Sequence, residues 1–262
     1  AKAELERAKA YWPIVRADSR IGFESSNQYY YVPRDVLEKA LSCRMVLDRP
    51  ADEMAHNETA LWQDRIDFAA TNGGGVVSMP AGRHFLSGLF LKSGVTLRLE
   101  KGCVVEGTTD ILDYPDIHLD YAEIREPWQA IIAAVGQTNV AVVGEGEIRG
   151  NGDKFPCGSR LGRPRGMIFY KCGNVRVEGL KMTDLASWTC YFNECDGVVF
   201  RKMTVDSHVN HNNDGVDIDA RNVLVEDCDI DADDDGIVLK SDNPNFIVEN
   251  VEVRNCEVRS CA

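Results

Sequence analysis

From Val76 onward, apolar and polar residues alternate with a period of two, the signature of half-buried β-strands. Val76-Val77-Ser78-Met79 precedes a Pro80-Ala81-Gly82 turn, and Val95, Leu97 and Leu99 alternate after it. One unit then recurs: Asn139-Val140-Ala141-Val142, Asn174-Val175-Arg176-Val177, Gly197-Val198-Val199-Phe200, Asn222-Val223-Leu224-Val225 and Asn250-Val251-Glu252-Val253. The first valines are 35, 23, 25 and 28 residues apart. An internal period of this size marks a solenoid. No helical period follows Ala70 and no leucine-rich signature is present, which leaves a parallel β-helix. Each repeat is then a coil of about three short strands, stacked ~4.8 Å from the next. Equivalent valines form ladders inside it, and each coil buries its apolar face only against its neighbours. The long step from Val140 to Val175 predicts an inserted loop, Gly150 to Gly166.

The N-terminal part reads differently. The pattern predicts helices over Ala3–Ala10 and Asp35–Leu47, the second opened by Pro33 with Val36, Leu37, Ala40, Leu41 and Met45 as its stripe. Asn27-Gln28-Tyr29-Tyr30-Tyr31 reads as a packed or extended aromatic piece. A third helix is expected over Asn57–Ala70, with Leu61, Trp62, Ile66 and Ala69 on one face. It stops at Asn72-Gly73-Gly74-Gly75. The organisation is thus a short helical segment or cap over residues 1–55, then an all-β parallel β-helix over 56–262.

Composition narrows the partners. With a net charge of −13 over 262 residues, nucleic acid and anionic membranes are poor partners, since both need a basic surface. No apolar run reaches the ~20 residues of a membrane helix. The start, AKAELERAKAYW, is not patterned as a signal peptide, and compartment stays open. An anionic polysaccharide remains compatible, gripped by local Arg and Lys. The nine cysteines include no Cys-x-x-Cys pair. Cys172, Cys195, Cys228 and Cys256 recur at similar places in the repeat and read as small buried apolar residues.

The chemistry concentrates in Asn212–Ser241. Asn212-Asn213-Asp214 and Asp233-Asp234-Asp235 are each followed by glycine, and Asp214 and Asp234 are 20 positions apart. That step is about one coil, so these carboxylates are expected side by side on adjacent coils. Crowded carboxylates raise the pKa of at least one of them. A neutral acid beside ionised ones is what glycoside hydrolysis needs. Presenting Asp234 and Asp235 together requires a bend, which Gly236 could permit. On these residues alone, a catalytic cluster, a calcium site and a solvated turn all remain open.

Asn212-Asn213-Asp214-Gly215-Val216-Asp217 resembles the Asn-Thr-Asp-Gly-x-Asp pattern of glycoside hydrolase family 28, the polygalacturonase family. Asp233-Asp234-Asp235 is similar to its Asp-Asp pair. Gly73–Val77, Pro80-Ala81-Gly82, Leu91-Lys92-Ser93, Gly150-Asn151-Gly152, Arg163-Pro164-Arg165 and Ser187-Trp188-Thr189 resemble further family segments in order, over about residues 59–262. The resemblance implies a right-handed parallel β-helix that hydrolyses pectic polymers with inversion and without metal or other cofactor. It implies Asp234 as general acid, Asp214 and Asp235 as holders of the water, and Asn212 as the group ordering them. The sequence departs at Asn213 (for Thr) and Gly236 (for the frequent Cys). The family's Gly-His-Gly and Arg-x-Lys motifs are missing, so the catalytic unit is expected to be incomplete at its C-terminus. Further substrate-binding candidates are His211, Lys240 and Arg165, while Arg160 and Arg163 read as solvated charge, His208 as a loop residue and Trp188 as a wall. Two rivals stand beside a hydrolase: a β-helix polysaccharide lyase using calcium, and a non-catalytic carbohydrate-binding solenoid.

Overall fold

The computed structural model describes residues 20–25, 28–33, 57–117, 119, 128–157 and 162–260. The helices expected over Ala3–Ala10 and Asp35–Leu47, and Arg160, lie outside the described residues. Strands β1 (Arg20–Ser25) and β2 (Gln28–Pro33) pair antiparallel. The tyrosine run is therefore extended, in a hairpin that the sequence pattern did not predict.

Helix α1 (Thr59–Thr71) lies against the first coil. Trp62 and Ile66 enter the core, with Ala69 and Ala70 packed beside them, whereas Leu61 is 48% exposed. The expected stripe is thus rotated by about one residue, because positions 62, 66, 69 and 70 share a face at i, i+4, i+7 and i+8. Glycines end the helix as expected: Gly73 and Gly74 have φ of 90° and 95°, and Gly74 N–H donates to Ala69 C=O at 2.9 Å.

The remaining strands are β3 (Gly75–Met79), β4 (Gly82–Leu86), β5 (Leu89–Phe90), β6 (Val95–Leu99), β7 (Cys103–Gly107), β8 (Ala130–Val135), β9 (Thr138–Gly144) and β10 (Glu147–Arg149). They continue with β11 (Arg165–Tyr170), β12 (Gly173–Glu178), β13 (Lys181–Thr183), β14 (Cys190–Arg201), β15 (Thr204–Ser207), β16 (Val216–Glu226), β17 (Asp229–Ala232), β18 (Ile237–Leu239), β19 (Glu249–Arg254) and β20 (Glu257–Ser260). All pairings among them are parallel. One sheet runs β4-β7-β10-β13-β15-β17-β20. A second has two faces joined through the long strands β14 and β16. Their first halves pair with β11 and β18, and their second halves with β12 and β19. Each coil therefore presents three faces, and the chain is a parallel β-helix.

The valine ladder is the axis of this stack. Val140, Val175, Val198, Val223 and Val251 pair in register, so every expected step is one coil. On the other faces Ile132, Met167, Cys190 and Val216 line up, as do Val105, Ile148, Met182, Val205 and Ile230. Phe169 and Phe192 stack at 5.3 Å. Each fully buried side chain of this size contributes roughly 1.5–3 kcal/mol. The expected buried cysteines also hold: Cys172, Cys195 and Cys228 are free thiols inside the stack, and Cys256 is half-buried.

At the corner before each valine, Asn139, Asn174, Asn222 and Asn250 adopt φ of 51–56°. Their amides stack from coil to coil: Asn174 Nδ2 donates to Asn139 Oδ1 at 3.1 Å, and Asn250 Nδ2 to Asn222 Oδ1 at 3.0 Å. Asparagine recurs here because its short amide tolerates the left-handed conformation and bonds to its neighbour.

Candidate active site

The site forms on the outer face of β11, β14, β16 and β18. Period two sends Val216 and Ile218 inward, and Asp217 and Asp219 outward. In register across that face run Ala133, Ile168, Tyr191, Asp217 and Val238. The outer face is thus apolar at β8 and β11 and turns acidic at β16. Ile117, Leu119 and Trp128 cover the apolar part.

The two acidic turns lie on adjacent coils, as expected. Gly215 N–H donates to Asp235 C=O at 2.8 Å, and Val216 N–H to Gly236 C=O at 3.0 Å. A Cβ on Gly215 would sit 2.3 Å from Gly236 O, and one on Gly236 would sit 2.3 Å from Val258 Cγ1. Both glycines are therefore required for space. The chain bends at Gly236 as expected, without a positive φ there, and the close approach of coils adds a second reason for glycine.

Asn212, at φ 54°, donates from Nδ2 to Asp234 Oδ2 at 3.1 Å. Asp234 Oδ1 accepts the Asp235 N–H at 3.0 Å. Asp234 is half-buried and Asp235 exposed, while Asp214 is 4% exposed. Asn213, where the family pattern has Thr, is an anchor: its Nδ2 donates to Leu185 C=O and Ser207 Oγ, both at 2.8 Å.

Arg163 is 1% exposed, and Arg165 3%. The expectation of solvated charge for Arg163 is therefore corrected. Its Nη1 donates to Ala186 C=O at 3.0 Å, to Asn210 Oδ1 at 3.4 Å and to His211 C=O, and its Nη2 reaches Asn212 Oδ1 at 3.3 Å. Since guanidinium only donates, this contact fixes Asn212 with its NH₂ toward Asp234. The Arg165 guanidinium lies 4.0 Å from the Trp128 ring centroid and 5.3 Å from that of Trp188. Its charge is enclosed by indoles. The His211 ring is exposed at the rim, and His208 Nε2 pairs with Asp231 at 2.8 Å on the neighbouring face.

Lys240 is registered by its own N–H, which donates to Ile218 C=O at 2.8 Å. Its Nζ lies 2.9 Å from Asp217 Oδ1, 3.6 Å from Asp214 Oδ2 and 4.3 Å from the Trp188 ring centroid. Burial raises the Asp214 pKa, with Lys240 pulling it back and Asp234 adding to the rise. Burial, then Asp214, pushes Asp217 well above the ordinary carboxylate range despite Lys240. Burial would lower Lys240, but Asp217 and Asp214 outweigh it and hold the ammonium above its usual value. Asp219 is raised as well, mainly by burial, although its Oδ2 accepts from Asn193 Nδ2 at 3.1 Å and Asp242 N–H at 3.0 Å. The sequence reading assigned no role to Asp217, Asp219 or Trp128. The alternation around Val216 and Ile218 could have placed the two acids on this face; no local signal marked Trp128.

The two stacked turns carry a buried carboxyl at Asp214, a half-buried one at Asp234 and an exposed one at Asp235 on adjacent coils. Among the described residues, no group of three or more His, Cys, Asp or Glu is arranged to hold a metal ion.

Comparison with known proteins bears on this geometry. A probable polygalacturonase of Arabidopsis thaliana is 29% identical over 115 residues, covering 43% of this chain and 25% of the relative. A probable rhamnogalacturonase A of Aspergillus oryzae is 28% identical over 107 residues, covering 41% of this chain and 23% of the relative. The solved family 28 exopolygalacturonase of Yersinia enterocolitica aligns with a TM-score of 0.68 at 21% identity, covering 76% of this chain and 45% of that one. At that identity the likeness speaks for the fold. The chain spans less than half the length of each of these three proteins. The profile of Glycosyl hydrolases family 28 matches residues 74–257, most of the chain and all of both acidic turns, and the chain accordingly belongs to that family.

Proposed function

We propose that this chain carries the catalytic centre of a glycosidase that hydrolyses pectin-type polysaccharide with inversion at the anomeric carbon. The observation that supports this most is the stacking of the Asp214 turn on the Asp234–Asp235 turn, with Asn212 bridging to Asp234. In this reading Asp234 gives its proton to the glycosidic oxygen as the C–O bond breaks. Water attacks the anomeric carbon from the opposite side, and its proton passes to the Asp214 and Asp235 carboxylates. Asp234 ends ionised, and the new hydroxyl carries the opposite anomeric configuration. Inversion asks for acid and base carboxyls about 6.5–9.5 Å apart, a span that neighbouring coils accommodate.

Asn212 orders the acid, and His211, exposed at the rim, is the proposed direct contact to sugar. Arg165 and Lys240 are enclosed by rings and carboxylates. Of the two, Arg165 contributes positive potential toward an anionic polymer, while the Lys240 charge is offset by Asp214 and Asp217. No cofactor enters the step.

The test is a panel of homogalacturonan and rhamnogalacturonan fragments, with the product anomer followed by NMR. Release of reducing ends with inverted configuration is expected. Retained configuration overturns the mechanism. An unsaturated, ultraviolet-absorbing product abolished by chelator would make the protein a lyase, and binding without turnover would make it a carbohydrate-binding solenoid. Asp234→Asn should lower turnover by about 10²–10⁴ while binding persists.

A further inference from the structure

The Asp214 carboxylate does not stand alone. Asp217 is 0% exposed, and both carboxyls meet the same ammonium, Asp217 Oδ1 at 2.9 Å and Asp214 Oδ2 at 3.6 Å from Lys240 Nζ. Two buried carboxylates gathered around one ammonium cannot both ionise cheaply without that cation. Lys240 is that cation, and among the described residues no other lies within ion-pair distance of Asp214. The other groups facing the cluster are Asp234 and Asp235 from the turn between β17 and β18, Asp242 behind Lys240, and Arg165 across the Trp188 ring. Asp234 and Asp242 are carboxyls, so the ammonium offsets several like charges at once.

The charge count decides the arrangement. Two carboxylates and one ammonium carry a net −1, and one proton between the carboxyls makes the trio neutral. Asp214 Oδ1 and Asp217 Oδ2 accept from no protein donor, which a proton held between the pair relieves. Asp217 is the more deeply buried of the two and the more strongly shifted, so the proton resides there. Trp188 lies against the ammonium, where an indole adds a favourable cation–π contact and limits access by water.

We propose that Lys240 and Asp217 are positioning residues: the Lys240 ammonium, held by Asp217 and backed by Trp188, keeps Asp214 a carboxylate ready to accept the proton of the attacking water. This rests on the assignment of Asp214 made above. It also gives Lys240 a task other than gripping a substrate carboxylate, because its ammonium is already held by Asp217 and offset by the Asp214 carboxylate.

The experiment compares wild type, Lys240→Met, Lys240→Arg and Asp217→Asn in the full chain. Two readouts are taken: the pH profile of kcat/KM on oligogalacturonides, and the ¹³C-NMR titration of the Asp214 carboxyl. An opposite charge this close holds a carboxyl down by about 1–3 pKa units. Lys240→Met should therefore move the acidic limb, and the Asp214 titration, up by about 1–3 pH units. Lys240→Arg should return most of that shift. Asp217→Asn reproduces the neutral state that the proton gives Asp217 and should leave the Asp214 titration in place, whereas a downward shift would show Asp217 ionised in the wild type and overturn the proton assignment.

An acidic limb that stays in place while KM rises several-fold would make Lys240 a substrate contact and overturn the proposal. An unmoved Asp214 titration in folded Lys240→Met overturns it as well. If Lys240→Met does not fold, Lys240→Gln decides: an upward shift of the Asp214 titration supports the pairing, and an unmoved one refutes it. Wild-type protein inactive on every pectic fragment would refute the proposed function, while the NMR titration still decides the Lys240–Asp217 pairing.

Discussion

Replacing Asn222 tests the corner ladder that organises the repeat. Asn222 sits at φ 56°, donates from Nδ2 to Asp196 Oδ1 at 2.7 Å and accepts from Asn250 Nδ2 at 3.0 Å. Asn222→Ala removes both bonds and forces a Cβ-bearing residue to hold the left-handed conformation. The conformation costs an alanine roughly 1–2 kcal/mol. Each bond is exposed and lies at the low end of the net range, about 0.5 kcal/mol. The expected loss is therefore about 2–3 kcal/mol. Asn222→Gly loses the same bonds but not the backbone preference, and should cost about 1 kcal/mol less than the alanine variant. Urea denaturation followed by circular dichroism reads both variants against wild type. If glycine is as damaging as alanine, the left-handed corner is not what selects asparagine. If both are neutral, the ladder contributes nothing beyond the valines it precedes.

Arg163→Met should lose about 3–5 kcal/mol, since it strands two buried carbonyls and two amide oxygens that one guanidinium satisfies. A shift below 1 kcal/mol in denaturant midpoint would show that water replaces it. Gly215→Ala places a Cβ 2.3 Å from Gly236 O, so it should lower the melting temperature and also depress turnover by separating the two acidic turns; normal turnover would refute the close-approach argument. Glu58 accepts from Trp62 Nε1 and pairs with His84 Nδ1, both at 2.7 Å. Burial pulls its pKa up, but His84 and Trp62 outweigh it and leave the pKa lowered. A lowered folded pKa means that the unfolded chain binds more protons, so this contribution is full above the unfolded value of about 4.3 and fades as pH falls through the folded one. The stability gap between wild type and Glu58→Gln should thus be largest above about pH 5 and close in stronger acid; a gap unchanged at pH 3 contradicts the ion pair.

How much of this could be read beforehand follows from which contacts repeat. The valine steps are legible because a parallel stack converts a sequence period directly into a ladder. Val140, Val175, Val198, Val223 and Val251 needed only to be apolar at the same phase. The meeting of the acidic turns is legible for the same reason, being a spacing of one coil. Lone side chains were less legible. Arg163 read as solvated charge and Arg165 as a substrate contact because a sequence does not show that carbonyls from two later turns, or a pair of indoles, surround them. Gly236 could be marked as the bend it is, but not as a point of close approach to Val258, since a glycine needed for a bend and one needed for space are the same letter. Leu61 and Ala70 exchanged roles because a helix lying against one coil reads only part of its apolar arc.

The least legible feature ties the fold to the site. Strand β14 pairs with β16 as Asn193 with Asp219 and then Cys195 with Ala220, so Glu194 is one residue extra. It takes φ 50°, and its carboxylate accepts from Asn243 Nδ2 at 2.9 Å. Because side-chain direction has a period of two, a slip of one residue exchanges the inner and outer faces of a strand. The first halves of β14 and β16 must keep Tyr191 and Asp217 outward, and the second halves must keep Val198 and Val223 inward. The two requirements count residues differently in the two strands, and a bulge of one residue reconciles them. Glu194 thus lets one pair of strands serve two registers: the valine ladder that stabilises the stack, and the outward acids on which the proposed chemistry rests.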